Sequence, residues 1–114
     1  MEGSNIIMFD GEKKYWNIWS LRFKDRATIS GYDELLTGTK ESPPECNDTN
    51  DKEEIRLRKM NKIGYCELLL DMKTEKCIQI VAESRTKELP SGDCYKAWSN
   101  LNSIYKPNDL SSKI

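Results

Sequence analysis

The chain has 114 residues and carries 18 basic against 19 acidic side chains, a net charge of −1. That length suits one domain, and the near-neutral charge argues against a domain whose main work is to bind a phosphate backbone. There is no histidine, which excludes the commonest zinc ligand and every Ser-His or Cys-His nucleophile pair.

The cysteines and the hydropathy pattern indicate a cytoplasmic protein. The four cysteines include no C-x-x-C pair, so neither a zinc knuckle nor a thioredoxin motif is present. Cys66 and Cys77 lie in apolar, helix-like segments, and we expect them to be reduced thiols that pack as small hydrophobes. No run of 18 apolar residues occurs, and no secretory signal is recognised, so we expect no membrane partner.

The first helix is predicted over residues 12–30, after a tail at 1–8. Asp10, in the turn-like sequence Phe9-Asp10-Gly11, is predicted to cap this helix. Gly31 is placed to end it in the left-handed conformation. Steps of 3, 4 and 4 residues define one apolar stripe, which consists of Trp16, Trp19, Phe23 and Ala27.

The sequence of the middle of the chain indicates a short apolar-ended turn at 32–36, with a helical turn as the alternative, then a polar linker and a long helix. Two adjacent prolines in the linker, residues 37–50, exclude helix and central strand. Asn50 or Asp51 is predicted to cap a helix over 52–72, with Gly64 as a possible site of close crossing by another helix. Its apolar face is predicted to contain Leu57, Met60, Gly64, Glu67 and Leu68, widened by Ile63, Cys66 and Leu70.

The last third predicts two more helices. Thr74 is placed to cap a helix over 75–82, for which a β-branched strand is the alternative. Ser91 is predicted to cap a helix over 92–105, and residues 108–114 are interpreted as the start of a truncated segment. The apolar face of this last helix contains Cys94, Trp98, Leu101 and Tyr105. The predicted fold is therefore an all-α bundle of about four to five helices, with its domain over 9–107.

Polar residues at helix starts and on solvated faces give no sign of an active site, so we expect no catalytic residue, metal or cofactor. Glu53-Glu54 stands where the helix dipole favours negative charge. Glu67 and Asp71 share a helix face, but a metal site there lacks a third ligand. The aromatic stripe is interpreted as core, with a groove for a partner helix or peptide as the alternative.

Two segments together resemble the N-terminal part of copia-type LTR-retrotransposon Gag polyproteins. One is Phe9-Asp10-Gly11 followed by Trp16-x-x-Trp19, Phe23 and Gly31-Tyr32; the other is Ala97-Trp98-x-x-Leu101-x-x-x-Tyr105. Their order and separation agree with that family over residues 9–107. The family-motif residues are Phe9, Gly11, Trp16, Trp19, Phe23, Gly31, Trp98, Leu101 and Tyr105.

The resemblance implies a helical, capsid N-terminal-domain-like unit without enzymatic activity. Such Gag proteins self-associate into virus-like particles that package RNA, so the implied partners are further copies of this chain, with RNA held through parts of the full-length protein outside these residues. The alternative is a helical peptide-binding or adaptor module of a host protein.

Overall fold

A computed structural model describes residues 8–45 and 48–107, and this part of the chain is an all-α bundle, as predicted. It is mostly helical and, within these ranges, contains no strand. The predicted tail up to residue 7, the segment 108–114 and residues 46–47 lie outside the described residues. The five helices are α1 (Trp16–Ser30), α2 (Asp33–Thr37), α3 (Lys52–Leu70), α4 (Glu75–Ala82) and α5 (Cys94–Tyr105).

Helix α1 begins later than the sequence predicts. The Oδ1 atom of Asp10 accepts a hydrogen bond from the backbone N–H of Glu12 at 3.0 Å, and a 3-10 turn over Lys13–Tyr15 then leads into α1. Asp10 therefore stabilises the turn before the helix, and the prediction that it caps the helix is wrong. Gly31 ends α1 as predicted, because its φ of 95° is left-handed and its N–H donates to the carbonyl of Ala27.

Side-chain caps define the starts of α3 and α4. The Oδ1 atom of Asp51 accepts hydrogen bonds from the N–H groups of Glu53 and Glu54 at 2.8 and 3.1 Å, so Asp51 rather than Asn50 is the cap. The hydroxyl of Thr74 accepts from the N–H of Cys77 at 3.2 Å. The predicted helix over 75–82 is confirmed, and its strand alternative is wrong.

Helix α5 begins two residues later than predicted. Its cap is Asp93, whose Oδ1 atom accepts from the N–H of Lys96 at 3.2 Å. Gly92 has a φ of 120° and cannot belong to the helix. Ser91, the predicted cap, instead donates through its N–H and its hydroxyl to the carboxylate of Glu45, both at 2.9 Å. These bonds attach the linker to the loop between α4 and α5.

Helix α3 packs through a narrower face than predicted. A Cβ atom added at Gly64 would lie 2.6 Å from the Sγ atom of Cys94 and 2.8 Å from Cδ1 of Tyr32, which confirms a close crossing there. Cys66 is exposed and Leu70 is 77% exposed, so the prediction that they widen the apolar face is wrong. The residues buried on α3 are Asn61, Gly64, Tyr65 and Leu68, which follow the spacing of one helix face.

Candidate functional site

The family-motif residues other than the two glycines lie together in the interior. Gly11 and Gly31 have positive φ angles of 86° and 95° and occupy turns. The remaining motif side chains are buried and belong to one cluster, which contains Phe9, Trp16, Trp19, Phe23, Trp98, Leu101 and Tyr105. The interpretation of the aromatic stripe as core is therefore confirmed, because its side chains are at most 2% exposed.

Rings from the two ends of the described chain meet at Phe9. Its ring centroid lies 5.1 Å from that of Trp19 and 4.9 Å from that of Tyr105. The backbone N–H of Phe9 donates to the carbonyl of Asp71, and its carbonyl accepts from the N–H of Lys73, each at 2.9 Å. Phe9 is thus fixed between the end of α3 and the aromatic rings of α1 and α5.

A buried carboxylate connects α1 to the end of α3. Asp71 accepts a hydrogen bond from the indole Nε1 of Trp19 at 2.6 Å and pairs with the guanidinium of Arg26 at 3.3 Å. Glu67, which the sequence pairs with Asp71 as a candidate metal ligand, accepts a hydrogen bond from the hydroxyl of Tyr32 at 2.5 Å. Over the described ranges, no group of three or more metal-ligating side chains is found. Both carboxylates act as acceptors that hold helices together.

Three buried titratable groups have raised pKa values that favour their neutral forms. Burial, reinforced by the negative charge of Asp93, raises the pKa of the Cys94 thiol to about 12. Burial, followed by the interaction with Cys77, raises the pKa of Tyr105 to about 12. Burial, followed by the bond to Glu67, raises the pKa of Tyr32 far above its usual value. At neutral pH these side chains are protonated and serve packing.

Glu53, in the first turn of α3 as predicted, ties the linker to that helix. Its carboxylate contacts Arg56 and the ammonium of Lys40, each at 3.0 Å. Hydrogen bonds from Arg56, then from Lys40, lower the pKa of Glu53 to about 2. The Glu53 side chain is exposed, so it acts as a solvated ionic contact.

The surface feature that sequence reasoning missed is the solvent side of α1. Ile18 is 54% exposed, Leu21 is 56% exposed and Ile29 is 86% exposed. Helix α1 therefore carries apolar side chains both inside the bundle and on its solvent side. The signal is present in the sequence, because Ile18 and Leu21 fall between members of the aromatic stripe and Ile29 follows its last member, Ala27.

An apolar groove of about 580 Å³ adjoins this side of α1. Its walls include the exposed side chains of Met8, Tyr15 and Ile18, and its floor includes the buried rings of Phe9 and Trp19. A groove of this kind has the dimensions of a ligand or peptide site. The groove lies where Met8 and Phe9 pass beside α1.

No family model matches the chain, and its comparison with curated proteins and with solved structures also finds no match. Within the described part, no helix is long and apolar enough to cross a membrane. The function therefore has to be inferred from the residues and surfaces of the chain itself.

Proposed function

We propose that this chain is the N-terminal capsid-like domain of a copia-type LTR-retrotransposon Gag polyprotein, or a domesticated derivative of one. Its function is structural: copies self-associate in the cytoplasm into virus-like particles that package RNA. The observation that supports this proposal best is the meeting of the family-motif residues from both ends of the chain in one aromatic cluster. The two segments that carry the resemblance thus serve one structural unit.

The interior is suited to a rigid building block. Trp98 of α5 lies with its ring centroid 5.7 Å from those of Trp16 and Phe23 of α1. The bond from Trp19 to Asp71 adds a fixed polar contact between α1 and the end of α3. A close-packed core of this kind is hard to compress, so the surface patches keep their relative geometry when copies assemble.

The exposed apolar side chains of α1 provide contact surface on the outside of this block. A single contact through a few exposed side chains is weak. In a shell every copy makes the same contact, and the binding free energies of the contacts add. The near-neutral net charge does not favour the phosphate backbone of RNA as a direct ligand. In this proposal, RNA is therefore bound by other segments of a longer Gag protein.

Electron microscopy with nuclease protection tests the proposal. We expect the purified chain to form assemblies of uniform size at high concentration, and the full-length protein to co-purify with RNA that resists nuclease. Trp98→Ala is the control that disrupts the fold, and it should abolish assembly. A chain that stays monomeric at millimolar concentration and yields no assembly would contradict the proposal.

The groove bordered by Met8 and Tyr15 favours a second candidate, a peptide-binding adaptor module. A module of this kind is a monomer that binds an apolar helix or extended peptide in the groove. Selection of peptides displayed on phage against the immobilised protein would test it. Binding that is lost in Met8→Glu and kept in Ile29→Glu, by a protein that remains monomeric, would favour the adaptor over the capsid unit.

A further inference from the structure

Four exposed residues of α1 form a stripe with an internal symmetry. They are Ile18, Arg22, Asp25 and Ile29, separated by 4, 3 and 4 residues, so they lie on one helix face. All four are exposed. We call this set the outer stripe. It lies away from the buried face of the same helix.

The outer stripe has the same order of side-chain types when it is followed from either end: apolar, charged, charged, apolar. Its midpoint falls between residues 23 and 24. When two copies of α1 lie antiparallel about a two-fold axis through this point, Ile18 of one copy faces Ile29 of the other. The same operation places Arg22 opposite Asp25, and it does so twice. The stripe is therefore complementary to itself.

We propose that the outer stripe is an isologous docking surface for a second copy of this chain, formed by antiparallel pairing of two α1 helices. The proposal deepens the proposed function, on which it rests, by naming the surface through which copies associate. Its distinguishing content is a specific register, in which Arg22 of each copy pairs with Asp25 of the other.

Charge complementarity selects a second copy over other occupants. Among the described residues, neither Arg22 nor Asp25 forms an ion pair within its own chain. A polyanion such as RNA would be attracted by Arg22 but repelled by Asp25, three residues away. A second α1 in the antiparallel register satisfies both charges without any further chemistry.

The apolar ends of the outer stripe supply the driving force. Ile29 is 86% exposed and Ile18 is 54% exposed, so pairing the two removes apolar surface from water at both ends of the contact. One helix pair buries less than the area of about 800 Å² per partner that is usual for a stable complex. We therefore expect a weak dimer, of a strength that suits a contact repeated throughout a shell.

Charge reversal tests the register directly. Arg22→Asp places two acidic pairs in the dimer, and Asp25→Arg places two basic pairs, so each single variant should weaken dimerisation about tenfold or more at low salt. An equimolar mixture of the two variants restores both opposite-charge pairs in a heterodimer. The double variant Arg22→Asp/Asp25→Arg restores them in a homodimer. Sedimentation equilibrium measures all four samples beside the wild-type chain.

The expected result is weak association of each single variant and near wild-type association of the mixture and of the double variant. Unchanged melting temperatures verify that the fold is intact, since both residues are exposed. Failure of the mixture and the double variant to recover would overturn the register. Wild-type affinity in both single variants would overturn the docking surface.

The two proposals fail in different ways. If the wild-type chain forms a dimer that depends on these charges but no particles, the capsid proposal fails and the docking surface stands. If particles form equally well from Arg22→Asp, the docking surface fails and the capsid proposal stands. A strict monomer at millimolar concentration contradicts both.

Discussion

Both faces of α1 carry apolar side chains, but they differ in what covers them. On the inner face, Trp16, Trp19 and Phe23 are covered by rings from α5 and by Phe9. On the outer face, Ile18 and Ile29 are exposed. Apolar content alone therefore does not decide which face enters the core. Ring contacts and one buried hydrogen-bond acceptor decide it, and the remaining apolar face is available for association.

The largest expected effect on stability comes from removing a buried side chain on the inner face of α1. Trp19→Ala removes a buried indole and leaves Asp71 without its donor at 2.6 Å, so we expect the free energy of unfolding to fall by about 3–5 kcal/mol. Urea denaturation measures it. Ile18→Ala on the outer face of the same helix is the matched control and should change it by less than about 0.5 kcal/mol. Equal effects of the two substitutions would contradict the comparison.

A smaller loss is expected where α3 meets α5. In Gly64→Ala, the added methyl group would lie 2.6 Å from the Sγ atom of Cys94, and overpacking of this kind lowers the free energy of unfolding by about 1–3 kcal/mol. On an open helix surface, the same change would stabilise by about 1 kcal/mol. Thermal unfolding decides between the two signs, and a raised melting temperature would show that α3 and α5 are not in contact at this point.

Alkaline pH should weaken the interior of the bundle. The pKa of Cys94 rises to about 12 in the folded protein from an ordinary value of 9.0. A raised pKa means that the folded state holds the proton more tightly, so stability is full below pH 9 and declines as pH rises towards 12. Free energies of unfolding measured between these limits check the sign. Cys94→Ala should flatten part of the decline, and an unchanged slope would exclude the thiol as its source.

Thiol labelling gives a second test of the same difference. Cys66 is exposed, whereas Cys77 and Cys94 are buried. The test uses a Cys46→Ser variant, so that only these three thiols can react. We expect a thiol reagent to modify Cys66 about tenfold faster or more at neutral pH, because reaction needs an accessible thiolate. Mass spectrometry of the labelled peptides measures the ratio. Equal rates for the three thiols would indicate an open core.

The smallest effect on stability is expected on the outer face. Ile29→Ser changes a side chain that is 86% exposed, so the free energy of unfolding should shift by less than about 0.5 kcal/mol. Its association should nevertheless weaken, because the paired isoleucine ends of the outer stripe are lost. Concentration-dependent sedimentation separates the two quantities. A large loss of stability would show that Ile29 belongs to the fold.

Local signals in the sequence were sufficient for much of the fold. Three features depend only on residues a few positions apart in the chain. They are the buried stripe of Trp16, Trp19 and Phe23, the Thr74 cap and the left-handed Gly31. The start of α5 was misplaced because Ser91 bonds to Glu45, a residue distant in the chain. Contacts of that kind leave no periodic pattern.

The candidate surface was harder to predict than the core. The acceptor role of Asp71 depends on the approach of Trp19 across 52 positions in the chain, which no spacing rule gives. The residues of the outer stripe can be read from the sequence. However, isoleucines such as Ile18 and Ile29 are equally suited to a core, and only the structure shows that they lie on the exposed side of α1. The family resemblance bears on residues that prove to be buried, and it carries no information on which surface associates.

Light scattering of the wild-type chain and of Ile29→Ser, over a concentration series up to the millimolar range, tests the central claim most directly. That claim is that a rigid core leaves one face of α1 to bind further copies. We predict that the mean mass of the wild-type chain rises with concentration and that the mass of Ile29→Ser rises much less. A constant monomer mass for both chains would contradict the account.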